Sequence, residues 1–225
     1  MPKTNHHRIN EIIQQALKYD YDLVWDLCCD HGQIGLGILK ENPYQEIQFV
    51  DRVKDITDKL NNRIIDSYIT IPKNISVVNK DIRILDINNI QNNLFILAGI
   101  GGYLTIEMLS HILESNISSH ALICAHQNII ELRKYLSDNH FNLIEEKLIC
   151  ENEKFYELIL IEPLITKPTK KVSPEGSILW SHFTSNHQKY LNQQITYLST
   201  VLEHQDNPYL SNLKNAYLEI FNKNR

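Results

Sequence analysis

The sequence predicts an α/β protein: a mostly parallel sheet with helices on both faces, an antiparallel terminal hairpin at one edge, and a C-terminal antiparallel helical hairpin. Three observations carry this reading. Short apolar runs alternate five times with patterns of helical period, as expected of parallel strands joined by crossover helices. Two longer apolar runs, Phe141 to Cys150 and Phe155 to Glu162, flank the polar turn Glu151-Asn152-Glu153-Lys154 and read as a hairpin. Finally, two glycine-free helical patterns follow a proline-rich stretch, with Asp206-Asn207-Pro208 between them, and should fold back on each other.

Arg8 to Leu17 opens the chain as an amphipathic helix with Ile9, Ile12, Ile13, Ala16 and Leu17 on one face. A first strand, Leu23 to Cys28, runs into Cys29-Asp30-His31-Gly32 and then a helix that Asn42-Pro43 breaks near Glu41. Glu46 to Val50 is a second strand ending in Asp51, followed by a helix through Asp66. Ile75 to Val78 is a third, ending in Asn79-Lys80-Asp81. Leu94 to Ala98 is a fourth, ending in Gly99-Ile100-Gly101-Gly102, with a helix over Tyr103 to Leu113. Ala121 to Ala125 and Ile129 to Ser137 form the fifth pair. Pro163, Pro168 and Pro174, set among Lys167, Lys170 and Lys171, mark a linker. In the tail, Leu179, Phe183, Tyr190, Leu191, Ile195, Leu198 and Leu202 trace one helix and Leu210, Leu213, Tyr217 and Ile220 another. The expected boundaries are 1–162 for the α/β body, 163–174 for the linker and 175–225 for the helical tail.

Glycine placement locates a site. The chain has only 7 glycines in 225 residues; three are Gly32, Gly35 and Gly37, and three more are Gly99, Gly101 and Gly102. Both groups follow a strand and precede a helix. Backbone N–H groups and the positive helix end at such a turn suit a nucleotide-type ligand. The two turns therefore read as two walls of one crevice; the alternative is two tight turns with no ligand. The spacing Gly32-x-x-Gly35-x-Gly37 does not match the G-x-G-x-x-G of dinucleotide-binding folds.

Composition restricts the class. Hydrophobic content of 43% and charged content of 22% are those of a globular protein. No apolar run reaches the roughly 18 residues of a membrane span, and the N-terminus lacks the apolar core of a secretory signal. Cys28, Cys29, Cys124 and Cys150 form no C-x-x-C pair, so neither a disulfide framework nor a metal site is expected, and the compartment is expected to be cytoplasmic. Net charge is −5, but residues 163–225 carry seven Lys/Arg against four Asp/Glu, a net of +3, which leaves −8 for residues 1–162. An acidic body with a more basic appendage is the expected layout.

Asp26 and Asp51 stand at the ends of strands one and two and Asp81 follows strand three, the places where Rossmann-like methyltransferases put acids. The motifs are more specific than that. Asp26-Leu27-Cys28-Cys29-Asp30-His31 resembles the Asp-Ile-Gly-Ser-Asp-His of the bacterial tRNA (adenine(22)-N1)-methyltransferase family. Leu97-Ala98-Gly99-Ile100-Gly101-Gly102 resembles its Ile-Ala-Gly-Met-Gly-Gly, and Lys154-Phe155-Tyr156-Glu157 its Lys-x-Tyr-Glu. Leu132-Arg133 likewise resembles that family's Leu-Arg, and the tail its C-terminal coiled-coil-like domain. The resemblance spans about Arg8 to Glu162.

The resemblance implies a Rossmann-like class I fold, S-adenosyl-L-methionine as cofactor, tRNA as partner, and transfer of a methyl group to adenine N1. It implies cofactor binding by Asp26 (amino group), Asp51 (ribose hydroxyls) and Asp81 (adenine N6), with Cys28, Gly32, Arg52, Ile82 and Ala98 around them. Asp26 has an alternative role as acceptor for the turn's own N–H groups, and Asp81 as a helix N-cap. On the reaction side it implies Asp30 at the N6 amino group of the target base, His31 beside it, and Gly99, Gly101 and Gly102 under the base. The tail and the N-terminal helix are expected to hold tRNA, with no membrane or metal involved; the tail's alternative role is a cap on the core. Three departures matter. Cys28 replaces a glycine, which implies that the position does not take φ > 0; Lys80-Asp81-Ile82 replaces Gly-Asp-Gly; and Ala125-His126-Gln127-Asn128 stands in place of Gln-Pro-Asn. They leave open a methyltransferase of another RNA or a small molecule, and a non-catalytic cofactor-binding module.

Overall fold

The computed structural model describes residues 6–68, 72–85, 87, 92–113, 119–139, 141–163 and 170–224. Seven strands form one sheet in the order β3-β2-β1-β4-β5-β7-β6. β1 (Leu23–Leu27), β2 (Glu46–Asp51), β3 (Ile75–Asn79), β4 (Asn93–Ala98) and β5 (His120–Cys124) are parallel. β6 (Asn142–Glu151) and β7 (Lys154–Glu162) are the antiparallel hairpin, and β7 pairs with β5. The order reverses at β1, between β2 on one side and β4 on the other. At such a switch point two crossovers depart to opposite faces and leave a crevice at the strands' carboxyl ends.

Parallel strands covered on both faces read as continuous apolar runs, because every side chain meets a helix. Phe95 and Leu97 of β4 face one layer, where they join Leu27, Val50, Ile123 and Ile159 under α4 (Gly102–Leu113) and α5 (Ile129–Asp138). Leu94 and Ile96 face the other, with Val24, Phe49 and Leu160 under α1 (His7–Ala16), α2 (Gln33–Glu41) and α3 (Lys54–Tyr68). Each such side chain contributes about 1.5–3 kcal/mol by leaving water. In α1, Ile12, Ile13 and Ala16 are buried, so its polar stripe faces solvent.

Two tail helices follow, α6 (Ser185–Leu202) and α7 (Pro208–Lys223). Leu191, Leu198, Leu213 and Tyr217 pack together against Ile130 of α5. Asn207 caps α7, its side chain accepting the Leu210 N–H (3.1 Å), with Pro208 at the first helical position.

The helix expected from Leu179 begins instead at Ser185. Leu179 N–H donates to the buried Glu146 carboxylate (2.9 Å), and a Thr184–His187 capping box starts the helix only after that. Of the expected linker, Lys167 and Pro168 lie outside the described residues. Its described end lies against the sheet edge: Lys171 bridges Asn142, Leu143 N–H donates to the Lys170 carbonyl (2.8 Å), and Val172 is buried. No helix among the described residues is long and apolar enough to cross a membrane.

Candidate active site

The crevice is built from two turns that leave neighbouring strands. After β1 the chain bends through Cys28, Asp30 and Gly32, at φ 53°, 46° and 66°. Cys28 therefore takes the left-handed conformation that a side chain disfavours, against the sequence expectation. Holding non-glycine residues there costs about 1–3 kcal/mol each and requires surroundings that over-determine the turn. Those are present: Cys29 N–H donates to Val50 O (3.2 Å), Gly32 N–H to Cys29 O (2.7 Å), and Asp30 N–H to Asp51 Oδ2 (3.4 Å).

Asp26, next to last in β1, is almost sealed from water, and its Oδ2 accepts the Gly35 N–H (2.9 Å). A Cβ on Gly35 would stand 2.3 Å from the Phe49 ring, so only glycine lets α2 approach this carboxylate. Burial pushes the Asp26 carboxyl up to about 7; the Gly35 N–H opposes the shift, and the Asp51 charge adds to it. The alternative role foreseen for Asp26, acceptor for the turn, is thus occupied by one oxygen.

Asp51 ends β2, mostly buried, its Oδ1 accepting the Val53 N–H (2.9 Å) and its Oδ2 tying down the β1 turn. Asp81 caps a short 3-10 turn, Ile82–Ile84, and Arg83 holds it: Nη2 meets Oδ2 at 2.6 Å and Nε meets Oδ1 at 3.0 Å. The hydrogen bonds from Arg83 hold the Asp81 carboxyl down to about 2. Both Asp81 oxygens are therefore already engaged, and the N-cap alternative is the one its geometry displays. Ile82 is buried in the core beside Leu27 and Val50, while Arg52 is exposed.

On the far wall β4 ends in Ala98, and the chain turns through Gly99 (φ 77°) to Gly102. This turn is stitched to the one after β5: His126 N–H donates to Ile100 O (3.1 Å) and Gly102 N–H to Gln127 O (2.9 Å). A Cβ on Gly102 would stand 2.2 Å from the Asn128 carbonyl oxygen, and one on Gly101 3.0 Å from the Gln127 amide. Gly101 and Gly102 thus serve close packing between two turns, whereas Gly99 faces open space.

Between these walls lies a cavity of about 210 Å³ lined by Arg8, Asp26, Cys28, Asp30, Ala98 and Gly99, among others. Arg8 was not singled out by sequence, although it precedes Ile12 by one helical turn on the buried face of α1. Its Nε is buried with no hydrogen-bond partner among the described residues, and its guanidinium lies 4.9 Å from the Tyr156 ring centre. Asp30 and His31 stand 3.7 Å apart at the rim, with side chains 67% and 68% exposed. Three carboxylates act on the β1 turn. The Cys28 thiol is pushed up to about 11, first by burial and then by Asp51, Asp81 and Asp26, with Arg52 opposing. No group of three or more His, Cys, Asp or Glu among the described residues is gathered to hold a metal ion.

Open α/β sheets bind their ligands at the switch point outside the strands' carboxyl ends, and the cavity lined by Asp26 and Arg8 lies there, with Asp51 ending the neighbouring strand. The chain belongs to the methyltransferase domain family, whose model matches residues 6–159. MG248 of Mycoplasma genitalium, provisionally assigned as a tRNA methyltransferase, is 27% identical over 220 residues, covering 96% of this chain and 95% of that protein. Streptococcus pneumoniae Sp1610, provisionally assigned as a tRNA (m1A22) methyltransferase and solved with S-adenosyl-L-methionine, superposes with a TM-score of 0.75 at 17% identity, covering 96% and 98% of the two chains. M. capricolum TrmK, solved with S-adenosyl-homocysteine, superposes with a TM-score of 0.72 at 18% identity, covering 95% and 94%.

Proposed function

We propose that this chain is a cytoplasmic, S-adenosylmethionine-dependent methyltransferase acting on N1 of adenine 22 in the tRNA D-arm. The observation that carries the cofactor half is the pairing of Asp26 with the unpartnered Arg8 Nε in one cavity, with Asp51 hydrogen-bonded to the Asp30 N–H of the turn that walls it. That donor set fits an amino-acid head: Asp26 for the ammonium, Arg8 for the carboxylate, and Asp51, one strand over, for the ribose hydroxyls. Arg52, Cys28, Gly32, Ile82 and Ala98 complete the surroundings, and Asp81 reaches an adenine amino group only if Arg83 yields it. The tRNA half is supported by the names of the similar proteins and by the shared motifs.

The bound cofactor supplies a sulfonium methyl: the N1 lone pair forms the new N–C bond, the C–S electron pair returns to sulfur, and the positive charge passes to the adenine ring. N1 carries no proton at neutral pH, so the chain supplies no base. Its residues align the reactants, and the carboxylates of Asp26 and Asp51 suit a charge that stays positive throughout. Asp30, exposed at the rim of the cavity, accepts the N6 hydrogen on the N1 side of the target base in this reading, with His31 as its neighbour. Gly99 gives the base backbone to approach.

On this reading residues 1–162 form the methyltransferase body, 163–174 the connection and 175–225 the helical tail. The basic tail and the solvent-facing stripe of α1 hold the tRNA body, and phosphate contacts of that kind weaken steeply with salt. The test is methyl transfer to tRNA that lacks the modification, with the modified atom mapped.

A further inference from the structure

A second cavity, of about 300 Å³, opens beside the first at the end of β5. Its floor is the turn His126-Gln127-Asn128, one wall is Phe155 and Tyr156 of β7, and the other is Gln194 and Tyr197 of α6. The two cavities are adjoining. Arg8, which lines the first, lies against the ring of Tyr156, which lines the second. The Gly99–Gly102 turn, whose Gly99 borders the first cavity, is hydrogen-bonded to the turn that floors the second.

The lining selects the occupant. It holds aromatic faces and side-chain amides but no lysine or arginine, which disfavours a phosphate or carboxylate and suits a neutral heterocycle. Tyr197, more than half exposed, stands at the mouth, and Tyr103 of α4 lies near enough for Glu131 and Tyr197 to raise its phenol. Asn128 is the unusual residue. It occupies the N-cap position of α5 at φ 57°, yet its side chain makes no capping hydrogen bond. An asparagine held in a disfavoured conformation, and released from capping, has its carboxamide free for something else.

We propose that this cavity receives the extruded target adenine, stacked against Tyr197 and Tyr156 and read by the Asn128 carboxamide. The proposal deepens the functional reading above and rests on it. A carboxamide pairs bidentately with adenine N6 and N7. That pairing leaves N1 unblocked, as methylation there requires, and guanine presents the wrong pattern of donors and acceptors. It also assigns the C-terminal helices a part in the base pocket: Gln194 and Tyr197 close a site whose other walls belong to the body.

The test uses the full chain. Asn128→Gly keeps the left-handed backbone and removes the amide; Tyr197→Ala removes the stacking face and Tyr197→Phe retains it. With tRNA lacking the modification, Asn128→Gly and Tyr197→Ala should each lower kcat/KM by about tenfold or more. Tyr197→Phe should remain near the original protein, and S-adenosylhomocysteine affinity should be unchanged in all three. Activity retained in Asn128→Gly and Tyr197→Ala overturns the proposal. A parallel loss of S-adenosylhomocysteine affinity also overturns it, because the residues would then be structural. A separate readout covers failure of the functional reading itself. With the cofactor crevice saturated by S-adenosylhomocysteine, free adenosine should show saturation transfer from the protein in NMR, more than guanosine does. That signal should fall in Asn128→Gly and Tyr197→Ala, and an unaltered signal contradicts the pocket whether or not tRNA is the substrate.

Discussion

Tyr190 of α6 donates its hydroxyl to Glu157 of β7 across 2.6 Å, inside the protein. The other oxygen of Glu157 accepts Arg133 Nε of α5, and Arg133 Nη2 reaches Glu146 of β6 at 2.7 Å. One buried cation thus faces two buried carboxylates. The excess negative charge is met by neutral donors, Tyr190 and the N–H groups of Ile178 and Leu179. Every one of those donors comes from beyond residue 174, so the tail completes the body's electrostatics.

Tyr190→Phe should therefore destabilise the whole protein by about 1–3 kcal/mol, since it leaves a buried carboxylate oxygen without its donor. In a chain of this length that lowers Tm by about 2–4 °C per kcal/mol. A chain ended at Pro163 strips the network and uncovers Ile130, and should fail to fold. Each buried carboxylate oxygen left without its donor costs about 1–3 kcal/mol. A truncated protein that melts cooperatively at the original temperature would show the tail to be a separate module.

This network marks where sequence reading stops. Leu132-Arg133 and Tyr156-Glu157 stood out as separate motifs, yet nothing in their spacing indicates that a salt bridge joins them through the core, because strand order is a property of the whole sheet. Local chemistry is better legible. Asp26 and Asp51 follow apolar runs and precede glycine turns or helices, so their place at the strand ends could be read from pattern alone. Cys28 could not: its φ is imposed by hydrogen bonds to Val50 and Asp51, which belong to another strand. Arg8 was missed because one cation on an amphipathic helix looks like any solvated charge until the cavity beneath it is seen.

Asp26 should make cofactor binding proton-linked. Its folded carboxyl is raised to about 7 from an ordinary 3.8, so the folded protein keeps a proton that the unfolded chain has lost. This group's contribution to stability therefore falls as pH rises from about 4 to about 7, and is flat above. An ammonium placed against the carboxyl favours its charged form, so binding near pH 6 should release up to about one proton. Calorimetry in buffers of different ionisation enthalpy reads this directly, and Asp26→Asn should abolish it. Equal heats in all buffers would remove Asp26 from the ammonium site.

Arg8→Ala should weaken both S-adenosylmethionine and S-adenosylhomocysteine by about tenfold or more, the loss of a charge-assisted bond to the carboxylate. Because the Arg8 Nε has no partner to lose, Tm without ligand should shift little. The stacking on Tyr156, worth about 0.5–1 kcal/mol, and the contact with the Cys124 thiol are given up. A large fall in Tm with unchanged affinity would make Arg8 a structural residue.

Asp51→Ala should also weaken both ligands, by about 1.5–3 kcal/mol. It should in addition loosen the β1 turn, whose Asp30 N–H it holds. Amide exchange at Asp30 and Val53 should accelerate in this variant and not in Arg8→Ala. Ligand affinity that survives Asp51→Ala would sink the ribose assignment.

Reverse transcription reads methylation of adenine N1 in the tRNA D-arm most directly, since a methyl on N1 blocks pairing. Unmodified tRNA incubated with the protein and S-adenosylmethionine should stop reverse transcriptase one nucleotide before adenine 22. Asp30→Ala should weaken that stop at saturating cofactor while leaving cofactor affinity intact. A folded, cofactor-binding protein that produces no stop in the D-arm of any tRNA, while methylating another substrate, would contradict the account.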